Sequence, residues 1–137
     1  MKEKSCGAIV YKEENGELKF LLVHQNNGNY SFPKGHMEEN ETELETALRE
    51  IKEETNLDVE IDTDFRHQVT YLVESRNVMK DTVYFLATPK TDDLKPQEGE
   101  ILNCDWYSYE ETNKNLNYPD LKEILESAYN YIKNKNI

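Results

Sequence analysis

The chain has 137 residues, of which 36% are hydrophobic and 32% are charged, and its formal net charge is −12. This length suits one packed core, so we expect a single domain over residues 1–137. The acidity excludes long-range attraction to DNA or RNA, because no basic patch offsets the repulsion from phosphates. An anionic substrate would need local help from a metal ion or from a few placed cations.

The chain shows no targeting signal. Its first residues, MKEKSCGAIVY, lack the long apolar run of a signal peptide, and no stretch has the length and apolarity of a membrane span. We therefore expect a cytoplasmic protein with no membrane and no DNA among its partners. Cys6 and Cys104 each lie in an apolar, strand-like segment, which predicts two buried free thiols.

The first half of the chain predicts two strands and a helix. SCGAIVY (5–11) and KFLLVHQ (19–25) are the strands, and Asn15-Gly16 between them predicts a hairpin turn. A loop rich in Asn and Gly follows over 26–35. Residues 41–54 predict a helix with Asn40 as N-cap and Glu43 at the third helical position. Its apolar residues, spaced by three and four, are expected to face the core: Leu44, Ala47, Leu48 and Ile51.

The second half predicts several strands and a closing helix. The strands are LDVEID (57–62), RHQVTYLVES (66–75), DTVYFLATP (81–89) and ILNCDWYSY (101–109), which are rich in β-branched or alternating residues. The helix covers 118–135, with Pro119 near its start and one apolar face: Leu121, Ile124, Leu125, Ala128 and Ile132. This order indicates an α/β fold, a mixed β-sheet with α-helices packed on it.

Three glutamates crowd one turn of the predicted helix. Glu50, Glu53 and Glu54 lie beside the apolar stripe, and Arg49 and Lys52 are expected to project to the other flank. Like charges at these spacings destabilise an isolated helix by about 0.2–0.5 kcal/mol per pair.

Two interpretations of this acidic turn are open. It could be a solvated face of an acidic protein, or its carboxylates could bind Mg²⁺ or Mn²⁺, which prefer oxygen ligands. The preceding Pro33-Lys34-Gly35 favours the cation. Gly35 lets the backbone approach a ligand closely, and Pro33 stiffens the entry.

The segment GHMEENETELETALREIKEETNL, residues 35–57, resembles the Nudix box. That motif is Gly, five residues, Glu, seven residues, then Arg-Glu-apolar-x-Glu-Glu-x-Gly-apolar. Asn56 replaces the second glycine, and Asn is the next-best residue for a left-handed backbone. The Nudix superfamily hydrolyses nucleoside diphosphates linked to another moiety, and the resemblance implies a mixed β-sheet sandwiched between α-helices. The matching residues are Gly35, Glu41, Arg49, Glu50, Ile51, Glu53, Glu54 and Leu57.

Further segments resemble one Nudix branch, the asymmetric diadenosine tetraphosphate hydrolases. They are CGAIVY, FPKGHME, LETALRE and DTVYFLA, together with a glutamate six residues before a tryptophan, here Glu100 and Trp106. The resemblance implies hydrolysis of a small nucleotide by metal-assisted attack of water on phosphorus, which would convert diadenosine tetraphosphate to ATP and AMP.

The resemblance also implies roles by position. The catalytic acceptor of the proton would be Glu53 or Glu100, and the pair Glu41 and Arg49 would brace the turn into the helix. The metal, Mg²⁺ or Mn²⁺, would be bound by Gly35, Glu50, Glu53 and Glu54. The substrate would be contacted by Lys34, His36, Tyr71, Lys80 and Tyr84.

Several of these roles have alternatives. Tyr84 could stack on adenine or lie in the core, His36 could cap the loop instead of touching phosphate, and Glu98 could exchange roles with Glu100. The tyrosine that follows the box in these hydrolases usually lies further along the chain than Tyr71, so either the loop is shorter here or the substrate differs.

The alternatives for function stay within or near the same fold. Another Nudix enzyme could hydrolyse oxidised or ordinary nucleoside triphosphates, or RNA 5′ ends, although the scarcity of basic residues argues against RNA. A non-catalytic nucleotide sensor or a plain acidic interaction domain is also conceivable. The intact set of box glutamates argues against both.

Overall fold

The computed structural model describes residues 2–135, with Lys2 by its backbone alone. It contains one sheet and three α-helices, and a short 3₁₀ turn, Glu74–Arg76, joins two of the strands. The strands are β1 (Lys2–Glu14), β2 (Glu17–Gln25), β3 (Tyr30–Ser31), β4 (Lys34–His36), β5 (Val59–Val73), β6 (Val78–Pro89) and β7 (Ile101–Ser108). The helices are α1 (Glu43–Thr55), α2 (Tyr109–Asn115) and α3 (Pro119–Lys135).

Strand β1 organises the sheet because it changes partner along its length. It runs parallel to β6 from Lys2 to Val10. On its other side it pairs antiparallel with β4 through Ser5–Gly7 and then with β2 from Tyr11 onward. The main path of the sheet is β3-β2-β1-β6-β5, with β4 on β1 and β7 on β2. The mixed sheet that we expected is therefore confirmed.

The core has two parts, one on each face of the sheet, because neighbouring residues of β1 and β6 enter different clusters. Ala8 and Val10 pack in the cluster that includes Ala47 and Ile51 of α1. Ile9 packs in the cluster that includes α3. The predicted apolar face of α3 is buried in full. Helices thus cover both faces, as the Nudix resemblance implies, and Cys6 and Cys104 are buried free thiols as predicted.

The start and the buried face of α1 differ from the prediction. Thr42, not Asn40, is the N-cap: its hydroxyl accepts a hydrogen bond from Glu45 N at 3.1 Å, and the Glu45 carboxylate accepts one from Thr42 N at 2.8 Å. The expected pairing of Asn40 with Glu43 is therefore wrong. Asn40 has a φ of 68°, which ends the preceding turn in the left-handed region.

Half of the predicted apolar stripe of α1 faces away from the core. Leu44 and Leu48 are each 39% exposed, while Ala47 and Ile51 are fully buried. The helix rests on a sheet through a face that includes Glu54, so the buried arc is displaced from Leu44 and Leu48 towards the carboxylates. At the end of α1, Asn56 has a φ of 67°, so the left-handed turn expected of it is confirmed.

Two features of the second half also differ from the prediction. The segments predicted as separate strands at 57–62 and 66–75 form the single strand β5, which a bulge between Asp62 and Arg66 interrupts. The short helix α2 was not predicted, although Ser108 and Glu111 at its start form a capping box. No helix in the described part of the chain has the length and apolarity to cross a membrane.

Gly7 is where β1 meets the segment that leads into β4. A Cβ at Gly7 would lie 2.1 Å from the Pro33 carbonyl oxygen and 2.6 Å from Lys34 Cβ. Since the Pro33 carbonyl also accepts a hydrogen bond from Ala8 N at 3.3 Å, the backbone would have to move. We expect Gly7→Ala to lower the free energy of unfolding by about 3 kcal/mol, the upper end for overpacking, as measured by urea denaturation.

Gly28→Ala is the control, because a Cβ there meets no atom within 4 Å and only its φ of 91° is unfavourable. That variant should lose only the cost of a left-handed residue, about 1–2 kcal/mol. A Gly7→Ala protein as stable as the Gly28→Ala protein would contradict this view of the junction.

Candidate active site

The pairing of β4 with β1 brings the loop before α1 against the carboxylates of that helix. Gly35 lies opposite Cys6 in this pairing. A Cβ at Gly35 would lie 2.0 Å from the carboxyl carbon of Glu50. A side chain at this position would have to displace the Glu50 carboxylate, so Gly35 leaves the room that this carboxylate occupies.

Glu54 is a buried carboxylate. Its side chain is 8% exposed, and one carboxylate oxygen accepts a hydrogen bond from Lys34 N at 3.0 Å. Burial raises the pKa of Glu54 to about 8, and the negative charges of Glu50 and Glu100 add to this shift. Without a cation, Glu54 is therefore largely protonated at neutral pH.

Glu50 and Glu100 extend the acidic cluster. Burial raises the pKa of Glu50, the ion pair with Arg49 opposes this, and Glu53 and Glu100 raise the pKa further. Glu100 is exposed on the loop before β7, and its carbonyl accepts a hydrogen bond from Asn26 N at 3.3 Å. The sheet thus brings Glu100 to the carboxylates of α1 from a distant part of the sequence.

Arg49 does not project to the other flank of the helix, so that prediction was wrong. Its guanidinium donates to Glu41 at 2.6 Å, to Glu50 at 2.8 Å and to Glu53 at 2.9 Å, and also to the carbonyl of His36 at 2.8 Å. The arginine side chain is long enough to fold back along the helix to these acceptors. Its pairing with Glu41 is the one that the box implies, and it holds the pKa of Glu41 at about 2.

The acidic cluster has the donors for a hard cation but is not closed around one. Within residues 2–135, no three acidic, histidine or cysteine side chains are arranged to enclose a metal ion. One reason is that Arg49 engages oxygens of both Glu50 and Glu53. The chemistry nevertheless fits Mg²⁺ or Mn²⁺, because Glu54 and Glu50 are carboxylates with raised pKa values in an acidic surrounding.

Basic residues cluster around Lys34. Desolvation, and next the charge of Lys80, lower the pKa of Lys34 to about 8. Desolvation and the charge of Lys80 likewise lower the pKa of the exposed His36. Arg76, which sequence reasoning missed, joins this group while it pairs with Glu3 at 2.7 Å. Its place in the RNVMK turn, four residues before Lys80, was the available signal.

A cavity of about 500 Å³ adjoins Lys34. Two exposed aromatic residues line it, Tyr71 at 39% and Tyr118 at 54%. Tyr71 was predicted as a substrate contact. Tyr118 was missed, because only the fold brings the start of α3 to β5. The walls are formed by Gln25, Asn29, Tyr30, Ser31, Lys34, Val69, Tyr71, Leu72, Val73, Thr82, Tyr84, Tyr118, Asp120 and Leu121.

Tyr84 takes the core alternative. It is 2% exposed, and its ring packs edge-on to Phe32 with 5.9 Å between the ring centroids. A ring that is 2% exposed offers almost no surface to a base, so the structure favours the core alternative over stacking on adenine. Tyr84 forms part of the cavity wall instead.

Comparison with known proteins identifies the family. A profile of the NUDIX domain matches residues 1–128. The chain belongs to the NUDIX family. A crystal structure of a C. elegans Ap4A hydrolase binary complex superposes with a TM-score of 0.89 at 26% identity, covering 96% of this chain and 98% of that chain. The predicted family, fold and enzyme class are therefore confirmed, and the protein is a Nudix hydrolase.

Curated relatives include Nudix enzymes with two kinds of substrate in their names. The asymmetrical bis(5′-nucleosyl)-tetraphosphatase of Sus scrofa is 29% identical over 141 residues, or 94% of this chain and 95% of that protein. The m7GpppN-mRNA hydrolase of Saccharomyces cerevisiae is 27% identical over 123 residues, or 87% of this chain but 12% of that protein. Nudix hydrolases generally use divalent metal ions, which agrees with the donor set described above.

The raised pKa of Glu54 makes the stability of the metal-free protein depend on pH. The folded state holds this proton up to about pH 8, whereas an unfolded glutamate releases it near the ordinary value of 4.5. Between these two values the folded state binds more protons, so stability falls as pH rises. We expect the melting temperature in EDTA to fall across this window and Mg²⁺ to restore it at pH 8.

The variant Glu54→Gln should show a flatter pH profile and little stabilisation by Mg²⁺. The exposed Glu126 on α3 offers a matched control, and Glu126→Gln should keep the profile of the original protein. Parallel profiles for the original protein and Glu54→Gln would show that Glu54 does not carry the effect.

Proposed function

We propose that this Nudix hydrolase cleaves dinucleoside polyphosphates, converting diadenosine tetraphosphate to ATP and AMP. The observation that carries the proposal is one cavity with exposed aromatic residues, Tyr71 and Tyr118, next to Lys34. Lys34 is also the residue whose backbone contacts Glu54. A nucleoside could thus be held in the cavity while its phosphates reach the acidic cluster.

The acidic cluster would hold the cation. Glu50 and Glu54 are the proposed ligands, together with Glu53 on the same turn and the Gly35 carbonyl, since the Gly35 backbone lies against the Glu50 carboxyl. When bound, a divalent cation neutralises phosphate charge and lowers the pKa of the water that it binds. Glu53 or Glu100 would accept the proton of the attacking water. The ion pair of Arg49 with Glu53 at 2.9 Å would have to loosen for Glu53 to do so.

The cationic residues would hold the phosphate chain. Lys34 and Lys80 present ammonium groups, and His36 offers an exposed ring nearby. Tyr71 lies directly across from Lys80 in the pairing of β5 with β6. A base stacked on Tyr71 would therefore have its phosphates within reach of Lys80. Base stacking on an aromatic side chain is worth about 1–3 kcal/mol.

RNA 5′ ends are the second candidate substrate. The relation to the yeast mRNA hydrolase supports it, but that relation covers 12% of the yeast protein. The net charge of −12 opposes the binding of a long polyanion beyond the site itself. A small dinucleotide needs only the local cations and is therefore preferred.

The test is product analysis by chromatography after incubation with Mg²⁺. The substrates are diadenosine tetraphosphate, GTP, 8-oxo-dGTP and a triphosphorylated RNA. We expect ATP and AMP from the dinucleotide, and loss of that activity in Glu54→Gln. Pyrophosphate release from a triphosphate, with the dinucleotide intact, would overturn the proposed substrate, and no turnover of any substrate would overturn the proposed activity.

Tyr118 provides a sharper test of where the base binds. We expect Tyr118→Ala to lower kcat/KM for diadenosine tetraphosphate about 5- to 150-fold, because a stacking partner worth about 1–3 kcal/mol is removed. Tyr118→Phe, which keeps the ring, should stay close to the original enzyme. Equal activity of the two variants would show that the ring of Tyr118 does not bind the base.

A further inference from the structure

Two buried hydroxyl groups at the centre of the sheet have no hydrogen-bond partner among the described residues. They belong to Ser5, which is 0% exposed, and Thr82, which is 1% exposed. These two residues lie opposite each other in the parallel pairing of β1 with β6. Neighbouring strands lie about 4.8 Å apart, so the side chains of Ser5 and Thr82 form one adjacent pair on the same face.

The hydroxyl pair lies on the face of the sheet that carries the cavity. Side chains alternate along a strand, so Thr82 shares its face with Lys80 and Tyr84. Thr82 and Tyr84 both line the cavity. Ser5 follows the same alternation on β1, two residues before Gly7, which lies opposite Lys34 in the pairing with β4. Thr82 therefore borders the cavity directly, as Lys34 does, and Ser5 lies beside Thr82 on the neighbouring strand.

The surrounding charges indicate what the hydroxyls bind. After desolvation, the charge of Lys80 is the next cause that lowers the pKa of Lys34, so the two ammonium groups lie in the same region. Within the described part of the chain, neither amino group has a hydrogen bond or an ion pair. Buried polar groups are seldom left unpaired in native proteins, so each of these hydroxyls is suited to a partner from outside the chain, such as a water molecule or a ligand oxygen. A hydroxyl can donate to an anionic oxygen, and two cations beside it favour an anion.

We propose that the hydroxyls of Ser5 and Thr82 form a phosphate seat, which donates hydrogen bonds to a substrate phosphate oxygen between Lys34 and Lys80. This inference rests on the proposed function and deepens it, since it assigns the phosphate chain a binding position against β1 and β6. The seat favours substrates with several linked phosphates, because one phosphate can rest there while another reaches the carboxylates of α1.

The test separates ligand binding from stability. Thr82→Val keeps the shape of the side chain and removes the hydroxyl, and Ser5→Ala removes the other hydroxyl. Calorimetric titration with inorganic tripolyphosphate in the presence of Mg²⁺ gives the Kd, and thermal denaturation without ligand gives Tm. We expect the Kd to rise about tenfold in the double variant and about threefold in each single variant, while Tm stays level or rises.

Thr70→Val is the matched control on the neighbouring strand. The Thr70 hydroxyl is satisfied, since it donates to an Asp81 carboxylate oxygen at 2.7 Å. This variant should lower Tm and leave the Kd for tripolyphosphate unchanged. A changed Kd in Thr82→Val and a lower Tm in Thr70→Val would distinguish a hydroxyl that binds a ligand from one that stabilises the fold.

Two outcomes would overturn the seat. One is an unchanged Kd with a lower Tm in Thr82→Val and Ser5→Ala, as expected of hydroxyls that hold an internal water. The other is no binding of tripolyphosphate by the original protein. Binding is measured without turnover, so an inactive enzyme that still binds tripolyphosphate in the expected manner would overturn the proposed reaction but not the seat.

Discussion

One guanidinium holds together the acidic turn of α1. Arg49 donates to Glu41, Glu50 and Glu53, yet it carries a single positive charge. Glu54, the most buried carboxylate of the turn, receives one hydrogen bond within the described part of the chain, from the backbone N–H of Lys34. Burial first, and then the negative charges of neighbouring glutamates, raise the pKa of Glu50 and Glu54. Such a site needs either protons or a cation, and this need supports the proposal of metal-dependent hydrolysis.

The sheet brings the remaining residues of the candidate site to the acidic turn of α1. Because β1 pairs first with β4 and then with β2, the loop before α1 is held against the carboxylates. The parallel partner β6 brings Lys80 and Thr82 to the same region. A phosphate chain could then lie between cationic and acidic residues in a protein whose net charge of −12 would otherwise repel it. In the proposed function, local placement outweighs total charge, since salt screens distant charges.

The sequence predicted the features that depend on local spacing. The carboxylates of α1, the glycine beside them and the face of α3 follow from the periodicity of a helix and from the spacing of the Nudix box. Periodicity did not reveal that Leu44 and Leu48 are exposed, because it does not tell which arc of a wide stripe rests on a sheet. The contacts of Arg49 with Glu50 and Glu53 depend on its side-chain conformation, which helix periodicity does not predict. The position of Tyr118 depends on contacts between segments that are distant in the sequence.

The most direct test of the account is a calorimetric titration with Mn²⁺ at pH 7, repeated in two buffers with different ionisation enthalpies. If Glu54 holds a proton until a cation displaces it, binding should release close to one proton, and Glu54→Gln should release none. Binding with no proton release in the original protein, or no binding, would contradict the claim that the acidic turn is built for a divalent cation.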